Sequence, residues 1–337
     1  MYLPETYILA LVFMIGSMLC WGSWANTLKL TPGYRFQLFY WDYVIGLFVG
    51  AIAWGLTLGS MGNIGLPFLA DISHAGSHNI LLAILGGIDF NIANLLLVAA
   101  IDIAGLAVAF PIGIGLALVV GAVSSYLLAP KANPWMLFGG VALVAAAIVC
   151  DAAAYRARES VKQAASLRGI VLSLIAGLLM GTFYPFVSKA MESRAPLDDN
   201  LSHIPGPYAT SFFFVVGVAL CAIPFNYLLM RKPLDGKPPA SMAGYAQAKP
   251  SWHLWGIVGG VIWCTGATLN FVASRTGVVG PAVSYSIGQG ATMVTAAWGV
   301  FAWREFSAAP AKAKLLLVWM FVLFLLGLTL VALAPLH

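Results

Sequence analysis

Residues 79–127 read NILLAILGGIDFNIANLLLVAAIDIAGLAVAFPIGIGLALVVGAVSSYL and carry only two charges, Asp89 and Asp102. A helix that crosses a membrane needs roughly 20 mostly apolar residues. The stretch is long enough for two, and we read spans at about 79–101 and 104–127, joined by a tight turn near Asp102–Ala104. Outward from it, further apolar runs fall at about 6–28, 39–59, 134–152, 169–190, 207–230, 253–274, 278–302 and 314–334, with a second tight junction at Arg275–Gly277. The chain therefore reads as an all-α integral membrane protein of about ten transmembrane helices.

Composition agrees. Of 337 residues, 61% are hydrophobic and 9% charged, against roughly 25% charged in a soluble domain. The net charge of +5 does not point to nucleic acid, because the lysines and arginines are scattered through short connections. Only Glu5 precedes the first run, so that run reads as a retained helix and not a cleaved signal peptide. Cys20, Cys150, Cys221 and Cys264 lie in apolar runs without CxxC or metal spacing, so neither a disulfide framework nor a metal site is implied. Ten spans leave four of the 17 cations (Lys131, Lys189, Arg194, Arg275) on the side of the termini and thirteen on the other. Cytoplasmic loops carry the excess of Lys and Arg. This places both termini outside and the connections at about 153–168 and 231–252 in the cytoplasm.

The chain also resembles itself. Gly86-Gly87 opens a segment ending in Phe110-Pro111-Ile112-Gly113-Ile114-Gly115, and Gly259-Gly260 opens one ending in Tyr285-Ser286-Ile287-Gly288-Gln289-Gly290, at offsets of 173 and 175. Trp21-Gly22-Ser23-Trp24 likewise lies beside Met180-Gly181-Thr182-Phe183, with Lys29 and Lys189 closing the two segments. Five spans per half is an odd number, so the halves insert with opposite orientation. We read residues 1–155 and 169–337 as two inverted five-helix repeats, joined by a short cytoplasmic connection at 156–168. Inverted repeats that rock about a midplane site are a secondary-transporter design.

These features resemble the drug/metabolite transporter superfamily, which is built from five-plus-five inverted repeats. Within it the chain is most similar to the ureide permease branch and the neighbouring glucose/ribose and rhamnose porters. The resemblance is carried by Cys20-Trp21-Gly22-Ser23-Trp24, Tyr40-Trp41-Asp42-Tyr43 with the Gly46–Gly50 helix, and Gly86-Gly87 with Asn94. It implies a permease of a bacterial inner membrane, moving a sugar or a ureide- or nucleobase-like metabolite by proton symport. Plant ureide permeases carry a long central loop with a phosphate-loop-like motif. Here the central connection, Ala153 to Arg168, is short, and GxxxxGK[ST] does not occur.

Polar groups at membrane depth are functional candidates by default. Asp89 sits near the middle of its span, where a carboxylate is costly to desolvate and could take up and release a proton. It could equally be a protonated interhelical hydrogen-bonding group. Gly87, Asn91 and Asn94 share one face and suit either substrate hydroxyls and amides or a neighbouring helix. Pro281, Tyr285, Gln289 and Thr292 form a second stripe. Pro111, Gly113, Pro281 and Gly288 are candidate kinks that expose backbone near the site. Trp263 and Asn270 share a face suited to stacking and hydrogen bonding a ring, or to simple packing. Trp24 and Asn26, with Trp21 and Tyr184, are similar candidates. Asp42 reads as a first-turn anion favoured by the helix dipole, with a cytoplasmic gate or a second proton site as the alternative. Asp102 reads as a cap for the following helix, and Lys29, Lys189, Arg304 and Glu305 as interfacial charges at helix ends. Asn200-Leu201-Ser202 is a glycosylation sequon on the outer side. GxxxG spacing at Gly46–Gly50, Gly55–Gly59 and Gly177–Gly181 favours close helix packing, within the chain or in a homodimer.

The functional expectation is a secondary transporter of a small molecule, with protons and the bilayer as partners and no cofactor. Import by alternating access stands first, and an exporter of drugs or metabolites on the same fold second. An enzyme is disfavoured, because the five histidines lie outside the span interiors and neither HExxH nor a serine-nucleophile motif occurs. A passive channel lacks a ring of like residues.

Overall fold

The computed structural model describes residues 1–158, 166–192, 204–234 and 238–337. The sequon Asn200–Ser202, His203, and the cations Lys162, Arg194 and Lys237 lie outside the described residues, as does much of the 156–168 connection. The protein is all-α. Nine helical segments among the described residues are long and apolar enough to cross a membrane. In chain order the helices are α1 (Tyr7–Ser23), α2 (Asn26–Lys29), α3 (Phe36–Leu56), α4 (Phe68–His74) and α5 (Ser77–Ala104). Then follow α6 (Leu106–Leu128), α7 (Pro134–Arg158), α8 (Leu167–Ala190), α9 (Pro207–Arg231) and α10 (Met242–Ala246). The last are α11 (Pro250–Arg275), α12 (Pro281–Gly288), α13 (Ala291–Ala297) and α14 (Ala311–Leu333).

The tenth segment, expected as one run over 278–302, is broken. α12 stops at Gly288, α13 restarts at Ala291, and a π-helical turn covers Trp298–Ala302. Pro281 is not a kink within it. It occupies the first position of α12, where a missing N–H leaves no helical bond unmade. Pro111 does lie inside a helix, in the second turn of α6. The α5–α6 turn rests on Gly105 at φ +79°, a conformation that side chains rarely adopt. Asp102 lies in the last turn of α5, three residues before the Gly105 that precedes α6. One expectation at a helix end is corrected. Asp42 lies beyond the first turn of α3, which starts at Phe36, and side chains rather than the dipole hold it.

Packing follows the glycines. α5 packs along α8 and α9, α11 along α1 and α3, and α7 along α14. A Cβ on Gly87 would stand 2.0 Å from the Phe214 carbonyl oxygen, and one on Gly260 would stand 2.0 Å from that of Tyr43. Gly217 and Gly46 face these pairs from the partner helices, where an added Cβ would stand 2.1 Å from the carbonyl oxygens of Ile84 and Ile257. Only a hydrogen on the α-carbon permits these approaches. The other glycine pairs are also used inside the chain: Gly50 against Cys264, Gly55 against Phe68, Gly59 against Tyr208, and Gly177 and Gly181 against α6.

Three charges at helix ends are paired. Glu305 accepts from Lys29 at 2.5 Å and from Arg158 at 3.1 Å, tying α2, α7 and the approach to α14. Burial would raise its carboxyl, but Lys29 and Arg158 outweigh that and hold it below the usual carboxylate range.

Candidate functional site

A cavity of about 950 Å³ enters the helix bundle from the side where α2 ends, α3 begins and α9 connects to α11. Gly33, Arg35, Gln37, Asp102 and Pro238 surround its mouth. Its walls are aromatic: Trp21 and Trp24 from the first span, Phe90 from α5, Phe183 from α8 and Trp263 from α11. The rings hold one another, with Trp263 centroids 4.4 Å from Phe90, 5.8 Å from Trp21 and 6.0 Å from Phe214. Trp24 leans on Tyr43 at 4.9 Å.

Polar groups enter this apolar chamber at few points. Asn94 lines it from α5 and donates through Nδ2 to the Tyr40 hydroxyl at 3.4 Å. Gln289 and Gly288 line it from the break between α12 and α13, followed by Thr292 and Thr295. Among the described residues, Arg35 and Asp102 are the only charged side chains of its lining, both at the mouth. The chamber can therefore stack a flat ring between indoles and satisfy amide or urea groups with two side-chain amides, without a charge to neutralise an ion.

Asn94, Trp24, Trp263, Gln289 and Gly288 are thus brought together. Other candidates are not. Asn91 is fully buried beside the cavity and accepts from the Tyr40 hydroxyl at 2.8 Å. Asn26 accepts from Trp303 Nε1 at 2.6 Å and donates to the Ser23 carbonyl, away from the lining. Tyr285 is fully buried, its hydroxyl donating to the Ala117 and Met180 carbonyls at 3.0 and 3.2 Å. Asn270 is buried in a knot of its own, taking the Tyr184 hydroxyl at 2.5 Å and donating to Ser17 and to the Ser284 carbonyl. Gly113 faces Leu97, and Pro111 and Pro281 also lie outside the lining.

The two aspartates separate. Asp89 accepts from Thr182 at 2.7 Å on the α5–α8 seam and does not line the cavity. Asp42 is 1% exposed and receives three groups: the Tyr34 hydroxyl at 2.9 Å, the Tyr245 hydroxyl at 2.6 Å, and His253 Nδ1 at 2.9 Å. Tyr34 also lines the mouth. Burial first, then the Asp42 charge, raises both tyrosine hydroxyls well above their ordinary range, so they stay protonated donors. His253, Tyr34 and Tyr245 went unnoticed in the sequence, as did Asp151, 5% exposed on α7 with Oδ1 lacking a hydrogen bond.

A family model described as ureide permease matches residues 39–166 and 152–334, the two matches meeting at the short central connection. Among curated relatives, ureide permease 1 of Arabidopsis thaliana is 23% identical over 387 residues, covering 97% of this chain and 97% of that protein. Ureide permease 2 of the same plant is 24% identical, covering 96% of each. One solved crystal structure has the same fold, with a TM-score of 0.64 at 15% identity over 95% of this chain and 96% of the other.

Proposed function

This chain belongs to the ureide permease family, and from that premise we propose that it carries a small neutral metabolite bearing amide or urea groups by proton-coupled alternating access. It is a membrane transporter and not an enzyme. The observation that carries the substrate reading is the chamber itself: aromatic walls, the amides of Asn94 and Gln289, and charge confined to the mouth. A planar ureide or nucleobase-like ring satisfies all three features. A sugar ring stacks on the same indoles and stands second.

The reciprocal glycine contacts support two inverted repeats. Gly87 meets α9 as Gly260 meets α3, at positions 173 residues apart. This is the five-plus-five organisation of drug/metabolite transporters, and rocking one repeat on the other closes the present mouth and opens the opposite side. The excess of cations on the side of the mouth supports a cytoplasmic mouth and outer termini in the proposed orientation, in a bacterial inner membrane. The glycine pairs are engaged within the chain, and the proposed transport unit is one chain.

For the proton, the geometry favours Asp42 over Asp89. Asp42 bonds Tyr34, which lines the mouth, and faces His253, so its charge is coupled by contact to the cavity entrance, whereas Asp89 bonds Thr182 away from the lining. The test is counterflow in proteoliposomes with allantoin, nucleobases and sugars, repeated under an imposed pH gradient. Ureide or nucleobase counterflow with gradient-driven accumulation supports the reading. Sugar-only counterflow sinks the substrate class, and indifference to the gradient sinks proton coupling.

A further inference from the structure

Repeat positions can be compared residue by residue, and one comparison fails in an informative way. Gly288 faces Asn270, with a Cβ on the glycine 2.9 Å from Nδ2, and its counterpart Gly113 faces Leu97, 2.6 Å from Cδ1. Asn270 and Leu97 are therefore equivalent positions, 173 residues apart. Around Asn270 the side opposite the mouth is tied shut. Tyr184 of α8 donates to Asn270 Oδ1 at 2.5 Å, Asn270 donates to Ser17 of α1 at 3.2 Å and to the Ser284 carbonyl of α12 at 3.0 Å, and Ser284 donates back at 3.0 and 3.1 Å. Four helices meet in one buried network.

By the repeat offsets, Tyr184, Ser17 and Ser284 correspond to Ala25, Ala176 and Ala109. Every hydrogen-bonding side chain of the network is an alanine or leucine in the other half. Ala25 and Leu97 both line the open cavity, where the mirror-image seal would have to form. At the positions equivalent to this network, the closing mouth has Ala25 and Leu97 to bring together in place of hydrogen-bonding side chains.

We infer that Asn270, with Tyr184, Ser17 and Ser284, is a one-sided lock that holds the gate opposite the mouth closed and sets the resting protein with its cavity open on the side of the long connections. Asn270 is thus a positioning residue for transport and not a substrate ligand. The polar groups of this network satisfy one another with this gate shut, and leaving such buried groups unpaired is costly. Substrate binding has to supply that difference on each cycle. The inference rests on the alternating-access reading proposed above.

Hydrogen–deuterium exchange of the full chain in lipid nanodiscs tests it, comparing wild type with Asn270→Leu, which copies the other repeat, and with Tyr184→Phe, which removes one hydroxyl. The expected result is opposed: amides at 272–281 exchange at least tenfold faster, while those at 24–37 and 94–102 around the mouth become protected. Faster exchange at 272–281 with an unchanged mouth would reduce the network to local packing and overturn the lock. No change at either side in Tyr184→Phe would overturn it as well. Counterflow of allantoin, measured on the same wild-type preparation, reports separately on the substrate. Its absence beside the opposed exchange pattern would sink the ureide reading and leave the lock standing.

Discussion

Phe90 of α5 and Trp263 of α11 stand ring to ring, centroids 4.4 Å apart and planes inclined by 35°, at the inner end of the cavity. They lie 173 residues apart, the offset of the proposed repeats, and the pair is also part of the chamber wall. Trp263→Phe keeps most of that packing but shortens the stacking surface. It should weaken ligand binding by about 0.5–1.5 kcal/mol with the protein still folded, read from the ligand dependence of counterflow. Trp263→Ala should instead cost roughly 3–5 kcal/mol of stability and appear as loss of monodisperse protein. Unchanged half-saturation in Trp263→Phe would remove this ring from the site.

Asp42 and Asp89 give opposite expectations. Asp42→Asn keeps a group that can accept from Tyr34 and Tyr245 but cannot change charge, so gradient-driven accumulation should disappear while counterflow persists. Asp89→Asn should retain gradient-driven accumulation and lose about 1 kcal/mol at most, the worth of its bond from Thr182. Accumulation lost in Asp89→Asn and kept in Asp42→Asn would reverse the assignment.

The spans and the close glycine contacts were legible in the sequence because hydropathy and close approach leave local marks: long apolar runs, and small residues within them. Asn94, Trp24, Trp263 and Gln289 were legible as polar or aromatic groups in apolar runs. The Asp42 cluster was not, because Tyr245 and His253 lie 203 and 211 residues away and no periodicity joins them. Asn270 and Tyr285 were read onto the substrate because helical spacing fixes a face but not its neighbour. That neighbour is Tyr184 for Asn270, and the α6 and α8 backbones for Tyr285.

Glycine substitutions should sort by what a methyl group would meet. Gly87→Ala and Gly260→Ala drive a carbon to within 2.0 Å of a carbonyl oxygen on the partner helix. Each should cost at least about 1–3 kcal/mol. Gly115→Ala, inside α6 with nothing within 4 Å, should stabilise by roughly 0.5–1 kcal/mol. Thermal unfolding followed by fluorescence-detected size exclusion separates the two classes, and equal loss at Gly87 and Gly115 would contradict the packing.

Glu305 gives the pH dependence. Its carboxyl is held below the ordinary value of 4.5, so its contribution is present above that pH and fades as pH falls through the lowered folded value. Lys29 is 46% exposed, so solvent limits the worth of the network to about 1 kcal/mol or less. Glu305→Gln should therefore melt slightly earlier than wild type at pH 7, with the gap closing as the pH drops below 4. A gap that widens in acid would show that Glu305 is not the stabilising anion of this cluster.

Gln289 supplies the sharpest test of substrate chemistry, because it sits at the α12–α13 break with its amide on the cavity. Gln289→Leu keeps the volume and removes both donor and acceptor. For a ligand held through urea or amide groups, the loss of one such contact should lower affinity roughly three- to tenfold, about 0.5–1.5 kcal/mol. Asn94→Leu should do the same from the facing helix, with the further loss of the bond that Asn94 donates to the Tyr40 hydroxyl, which goes on donating to Asn91. A purely apolar solute would respond in the opposite sense, binding the leucine variants more tightly. Counterflow half-saturation for allantoin against that of an apolar amine therefore decides between a metabolite permease and a drug exporter on the same residues.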